Sequence, residues 1–247
     1  MNGGNISQPI LKNNTIIKKR YESSDTIHQL LIHLEKKGLN WLPKSIELTP
    51  EEHKLSYIEG EVPHNLPNWI WEDSILTDIA RKLRIFHDAT QDFSLENEIW
   101  ELEEKSPREV ICHNDFAPYN SIFKKQKFVG LIDFDVCAPG FRLWDISYTA
   151  YRFVPIIPES VTEEQKVFSL FSKNNVIRRL EVFLDEYSNN QKSYLYSRKE
   201  ALEVAIERLN YLAEWSKNYA LEHNRKDLLG HSKIYRMHCI FIKKYLL

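Results

Sequence analysis

Between Val110 and Phe134 two short apolar runs, SIF and KFVGLIDF, flank a turn that carries Lys124, Lys125 and Lys127. Runs of this length, rich in β-branched and aromatic residues, predict the two arms of a β-hairpin. On both sides the periodicity is helical. Ile27, Leu30, Leu31 and Leu34 recur at helical spacing after Ser24-Asp25, and Gly38 is placed to stop that helix. Glu72 to His87 puts Ile75, Ile79, Leu83 and Phe86 on one stripe. Leu202, Ile206, Leu209, Ala213 and Ser216 mark one face of a long helix ending near Glu222, in a stretch read as helical from Val161 onward. Earlier in the chain, NTIIKK (Asn14–Lys19) and HKLSYIEG (His53–Gly60) read as strands. The order of elements predicts an α+β fold with a small N-terminal sheet and a mainly helical C-terminal part. The Pro-bearing stretch from Gly60 to Asn68 is the expected boundary, giving regions 1–60 and 61–247.

The 247 residues suffice for one large domain or two small lobes with a sizeable core. A hydrophobic fraction of 43% with 28% charged residues excludes a wholly disordered chain. Basic and acidic residues number 33 and 35, a balance that argues against a nucleic-acid partner. No stretch approaches the roughly 18 apolar residues of a membrane span, and the first residues lack a secretory-signal pattern. Cys112, Cys137 and Cys239 are odd in number and lack metal-ligand spacing, which fits reduced thiols and a cytoplasmic location.

HNDFAPYN (His113–Asn120) stands directly before the hairpin, and LIDFD (Leu131–Asp135) ends its second arm. The pair suits phosphoryl transfer from a nucleotide. That reaction needs a carboxylate to orient and accept the proton of an attacking hydroxyl, and oxygen ligands for Mg2+. Asp115 can be the base. Asn120 and Asp133 can offer oxygens to the metal, and the hairpin between them brings both into one cleft. The competing reading is a loop with an Asx turn, followed by a strand end with solvated carboxylates.

HNDFAPYN followed by LIDFDVCAPGFRLWDIS resembles the phosphotransferase family of aminoglycoside kinases, choline kinases and their bacterial relatives. The resemblance is densest from Val110 to Ala150, is weaker over Gly3–Leu34, HKLSYIEG and LRIFHDAT, and becomes one of character alone in the helical remainder. It implies a two-lobed protein-kinase-like fold and an ATP- or GTP-dependent small-molecule kinase that uses Mg2+. In that likeness Asp115 is the catalytic base, and Asn120 and Asp133 are the metal ligands. His113 supports the loop, Asp135 holds the loop or helps with a second metal, and Asp145 hydrogen-bonds back to the loop; Asp145 also reads as a carboxylate at a helix N-terminus. Lys18, which strand alternation places on the face of Ile16, is favoured over Lys19 as the phosphate lysine. Gly3-Gly4 resembles the turn over the nucleotide phosphates. Ser56, Tyr57 and Ile58 would offer backbone groups to the nucleobase.

Two departures from the family pattern stand out. Ile27 or His28 occupies the place of the helix glutamate that pairs with the lysine. The strand expected before Gly3-Gly4 is missing or reduced to Met1-Asn2. Both motivate an alternative, a catalytically weak or inactive kinase-like binding or immunity protein. A metal hydrolase using Asp115, Asp133 and Asp135 is a third reading. Glu163, Glu164, Asp185 and Glu186 read as a solvated face that could also attract a polycation, and Trp215 and Tyr219 as core or groove aromatics. The acceptor, a small hydroxyl-bearing molecule, and the oligomeric state are not legible in the sequence.

Overall fold

The computed structural model describes residues 9–63, 65–157, 172–189, 191 and 195–247. Gly3, Gly4, Glu163 and Glu164 lie outside the described residues. Four antiparallel strands form the N-terminal sheet: β1 (Ile10–Lys12), β2 (Thr15–Lys19), β3 (Ser45–Leu48) and β4 (Glu52–Ser56), in the order β1-β2-β4-β3. The β1–β2 turn uses Asn13 and Asn14, with φ of 50° and 61°. Two consecutive left-handed residues match the twist of a tight hairpin, and asparagine tolerates that backbone well. β1 and β3 are additions to what the sequence suggested, and the regular strand in HKLSYIEG stops at Ser56.

Helix α1 (Ser24–Lys36) follows β2 and buries Ile27, Leu30, Leu31 and Leu34. Gly38 stands just beyond its end with φ +86°, where any side chain would be strained. Helix α2 (Asp73–Thr90) buries Ile75, Ile79, Leu83 and Phe86. Strand β5 (Val110–Cys112) pairs with β8 (Ala138–Gly140), closing the ends of the intervening segment. Inside it, β6 (Ser121–Lys124) and β7 (Lys127–Leu131) form the hairpin. Its turn, Lys125-Gln126, again has two left-handed residues, at 52° and 61°. Glu61, within the expected boundary stretch, exchanges backbone hydrogen bonds with Phe123 of this hairpin.

Helices α3 (Arg142–Phe153), α4 (Lys173–Ser188), α5 (Arg198–Glu222) and α6 (Lys226–Tyr245) follow. By compactness the chain divides into one unit of residues 1–64 and 82–145 and another of residues 65–81 and 146–247. Among the described residues the second unit is helical. In it the buried Arg179 donates to the Trp71 carbonyl at 2.7 Å and to Asp73 at 2.6 Å, so its charge is compensated inside. Leu202, Ile206, Leu209, Ala213 and Ser216 are buried along α5, which a Ser197/Glu200 capping box starts. All three cysteines are free and buried. Among the described residues no helix is long and apolar enough to cross a membrane.

Candidate active site

The first unit contains HNDFAPYN, LIDFD and Lys18. Asp145, in the first turn of α3, is fully buried and accepts three hydrogen bonds. They come from the backbone N–H of His113 at 2.7 Å, the backbone N–H of Asn114 at 2.9 Å and His87 Nε2 at 3.1 Å. Burial works to raise its pKa, but the hydrogen bonds from His87 and the His113 N–H hold it below the usual value. Burial lowers the His87 pKa in spite of Asp145, so the pair is a neutral imidazole on an ionised carboxylate. Asn114 is left-handed, with φ 64°; its side-chain amide donates to the Val136 carbonyl at 3.0 Å and accepts from Trp144 Nε1 at 3.1 Å. The start of the motif is thereby fixed from three directions.

His113 is fully buried among aromatic rings, with Phe134 at 4.9 Å between centroids. Its Nδ1 accepts from the Asp115 N–H at 3.3 Å, and burial lowers its pKa to about 4. It is neutral at pH 7 and holds the loop. Asp115 is half-buried. Asn120 Nδ2 donates to one of its carboxylate oxygens at 2.8 Å and to its backbone carbonyl at 3.0 Å, while the Tyr119 hydroxyl donates to the other oxygen. Because the Asn120 nitrogen is committed to Asp115, its amide oxygen is the group it can offer a cation. The Asn120 carbonyl accepts from the Ile132 N–H at 2.9 Å, setting the motif beside Asp133.

Asp133 follows β7 with φ 68°, a left-handed backbone that aspartate tolerates better than most residues. Lys18 Nζ donates to Asp133 at 3.0 Å and to Asp135 at 2.5 Å. The lysine side chain is 11% exposed and each aspartate 27%. Burial opposes the Lys18 charge, but the two carboxylates outweigh it and hold the pKa above its ordinary value. Burial, reinforced by Asp133, pushes Asp135 up despite Lys18. Two carboxylates sharing one ammonium form a site with room for more positive charge. Among the described residues no three His, Cys, Asp or Glu side chains form a metal cage. That is compatible with Mg2+, which takes one or two carboxylates and completes its shell with water and phosphate oxygens. The ammonium between Asp133 and Asp135 shows that cationic charge is stable there, so these residues fit the ion.

The nucleobase candidates are placed differently. Ser56 and Tyr57 donate their backbone N–H groups to the Lys44 and Asn14 carbonyls, at 2.9 and 3.2 Å, within the sheet region. Ile58 packs against Gly130: a Cβ there would meet its side chain at 2.9 Å and the Trp41 carbonyl at 3.1 Å. Lys19 is exposed, with its ammonium over the Tyr21 ring. In the second unit Asp185 is exposed, Glu186 bonds Arg81 at 2.5 Å, and half-buried Trp215 and Tyr219 stack at 5.1 Å. Tyr119, His87 and Trp144 are contacts that sequence reasoning did not single out. Tyr119 lies inside the motif and could have been flagged as a hydroxyl four residues from Asp115; nothing local marks the other two.

A model of the phosphotransferase enzyme family matches residues 29–181. A curated relative, the trifolitoxin immunity protein of Rhizobium leguminosarum bv. trifolii, is 26% identical over 200 residues, covering 78% of this chain and 74% of that protein. Choline kinase from Cryptosporidium parvum superposes with a TM-score of 0.64 at 13% identity, over 97% of this chain and 89% of that one. A spectinomycin phosphotransferase solved with ADP and spectinomycin superposes with a TM-score of 0.59 at 12% identity, over 97% and 93%. These likenesses show the kinase-like fold, with the small antiparallel sheet and helical C-terminal part described above.

Proposed function

Because the chain belongs to the phosphotransferase enzyme family, we propose that it transfers the γ-phosphate of ATP or GTP to a hydroxyl of a small molecule. The observation that carries this reading is Lys18 bridging Asp133 and Asp135, with the Asp115–Asn120 pair one backbone hydrogen bond away. Asp115 is the base: its carboxylate orients the acceptor hydroxyl and takes its proton as the oxygen attacks the γ-phosphorus, whose bond to the bridging oxygen breaks to release the nucleoside diphosphate. Asn120 and Asp133 are the residues that hold Mg2+, with Asp135 beside them; the ion, when bound, neutralises phosphate charge. Lys18 is freed to meet the phosphates. Asp145, His87 and His113 keep the loop in place and touch no reacting atom. The 1–60 region supplies the nucleotide side, with Gly3-Gly4 over the phosphates and Ser56–Ile58 near the base, and the 61–247 region supplies the acceptor side. Most of the rate comes from positioning and charge stabilisation.

The test is phosphate transfer from labelled ATP and GTP to a panel of aminoglycosides, choline-like alcohols, amino-acid hydroxyls and sugars. Asp115→Ala is expected to lower turnover by about 100-fold or more. Equal turnover in both chains would refute the assignment.

A second reading rests on the immunity protein among the relatives: a chain that binds and sequesters without turnover. It predicts nucleotide or ligand binding by calorimetry with no phosphate transferred to any acceptor.

A further inference from the structure

Phosphotransfer through this site creates a charge problem at Lys18. Lys18 is largely buried, and Asp133 and Asp135 are its carboxylate partners. A divalent cation on those aspartates competes for the same oxygens, and a buried ammonium that loses its carboxylates needs other anions. The phosphates supply some of that charge. A protein carboxylate is also needed to hold the ammonium in place, and the one acid in the first turn of α1, Asp25, is paired with Arg20. Ile27 is buried and apolar, and His28 is engaged through Nδ1 with the Ser45 hydroxyl at 2.7 Å.

The cleft that Lys18 and Lys19 both line is bordered by Ser23, Ile27, His53, Asp135 and one further carboxylate, Glu101. Glu101 comes from the segment after α2, 83 positions along the chain from Lys18, and three observations show that its place is built. Ser23 stands at the N-cap position of α1, where a serine usually caps with its side chain; here it makes no capping bond. Its hydroxyl instead donates to Glu101 Oε1 at 2.7 Å. Two residues earlier, the Ile99 N–H donates to the buried Thr26 hydroxyl at 2.9 Å, fastening the same segment to the first turn of α1. With Oε1 held by Ser23, Oε2 is left for a cation.

We infer that Glu101 is the positioning carboxylate for Lys18 when magnesium nucleotide occupies the site, doing from a distant loop what an acid on α1 would otherwise do. The inference rests on the phosphotransfer reading. Ser23 sets the carboxylate in the cleft, and Glu101 steadies the ammonium as Asp133 and Asp135 turn to the metal. Asp135 cannot serve both roles at full strength. The neighbouring His53 adds no charge, because burial lowers its pKa to about 4.

The experiment is calorimetric binding of magnesium ATP and magnesium GTP to the full chain and to Glu101→Gln, Glu101→Asp, Glu103→Gln and Lys19→Ala, with each melting midpoint measured. Glu101→Gln is expected to weaken nucleotide binding about tenfold with an unchanged midpoint, as the loss of one charge-assisted contact would. Glu101→Asp should recover part of the loss. Glu103→Gln should stay within about twofold of the unsubstituted chain, the usual reach of solvated charges, and so should Lys19→Ala, whose ammonium lies over the Tyr21 ring at the cleft's edge. Binding by Glu101→Gln within twofold of the unsubstituted chain overturns the inference alone. So does a Lys19→Ala chain that reproduces the tenfold loss, since Glu101 would then serve Lys19. No binding of either nucleotide by the unsubstituted chain overturns the functional reading and this inference together.

Discussion

Two groups of charge lie close together in the first unit and are built on opposite principles. Asp145 is wholly buried, and its oxygens accept from two backbone N–H groups and a neutral histidine. Asp133 and Asp135 are about a quarter exposed and share one lysine. The first arrangement is saturated: removing the carboxylate strands three donors where water cannot reach, so Asp145 is a structural post. The second is undersupplied with positive charge and reachable from solvent, so its partner can be exchanged. A loop that must hold still and a cation site that must open and fill are met by carboxylates ten and twelve positions apart in sequence, distinguished by burial and partners rather than by residue type.

The contrast can be broken experimentally. Asp145→Ala should cost about 3–5 kcal/mol, a midpoint drop on the order of 10 °C, because buried donors lose their acceptor. A chain that melts like the unsubstituted one would remove the structural role. Asp133→Asn should do the reverse. Magnesium-nucleotide affinity should fall by about 100-fold, roughly 3 kcal/mol, while the midpoint moves by no more than a few degrees. Strong destabilisation with intact nucleotide binding would place Asp133 with Asp145.

Acid sharpens the same comparison. His113, beneath the loop, and His53, beside the lysine cleft, both have folded pKa values lowered to about 4 by burial. Unfolded histidine titrates near 6.5, so between those values the unfolded chain binds more protons. Their stabilisation is therefore complete above about pH 6.5 and is lost as pH falls toward 4, by about 1–3 kcal/mol each. Denaturant titrations between pH 7 and 4.5 should show that decline, and His113→Gln should flatten it. A stability independent of pH over this range would mean that these histidines take up protons in the folded chain as readily as in the unfolded one.

Legibility in the sequence followed the range of the interactions. The stripes of α1, α2 and α5 were readable because a helix repeats its own contacts every three to four residues, and the residues assigned to those faces are the buried ones. The β6–β7 hairpin was readable from two apolar arms around a short polar turn. Strands β1 and β3 were not. Ile10, Leu11 and Ile46 are more than half exposed at the sheet's outer strands, so no buried-polar alternation marks them. The β5–β8 pairing joins residues 26–30 positions apart and leaves no local trace.

The same division runs through the site. By itself the sequence determined which residue types were available for chemistry: His113, Asp115 and Asn120 at loop spacing, Asp133 and Asp135 at a strand end, and a lysine on an early strand. It also determined the neighbouring helices and the turn between the hairpin's arms, because those depend on residues a few positions apart. Only the tertiary structure decided that Lys18 bridges the two aspartates, that Tyr119 and Asn120 share the Asp115 carboxylate, that His87 closes the Asp145 post, and that Ser23 forgoes its helix cap to hold Glu101. These are pairings of charge and hydrogen-bonding groups, several of them dozens of positions apart. Their partners are selected by burial and packing, which no local pattern of residues encodes.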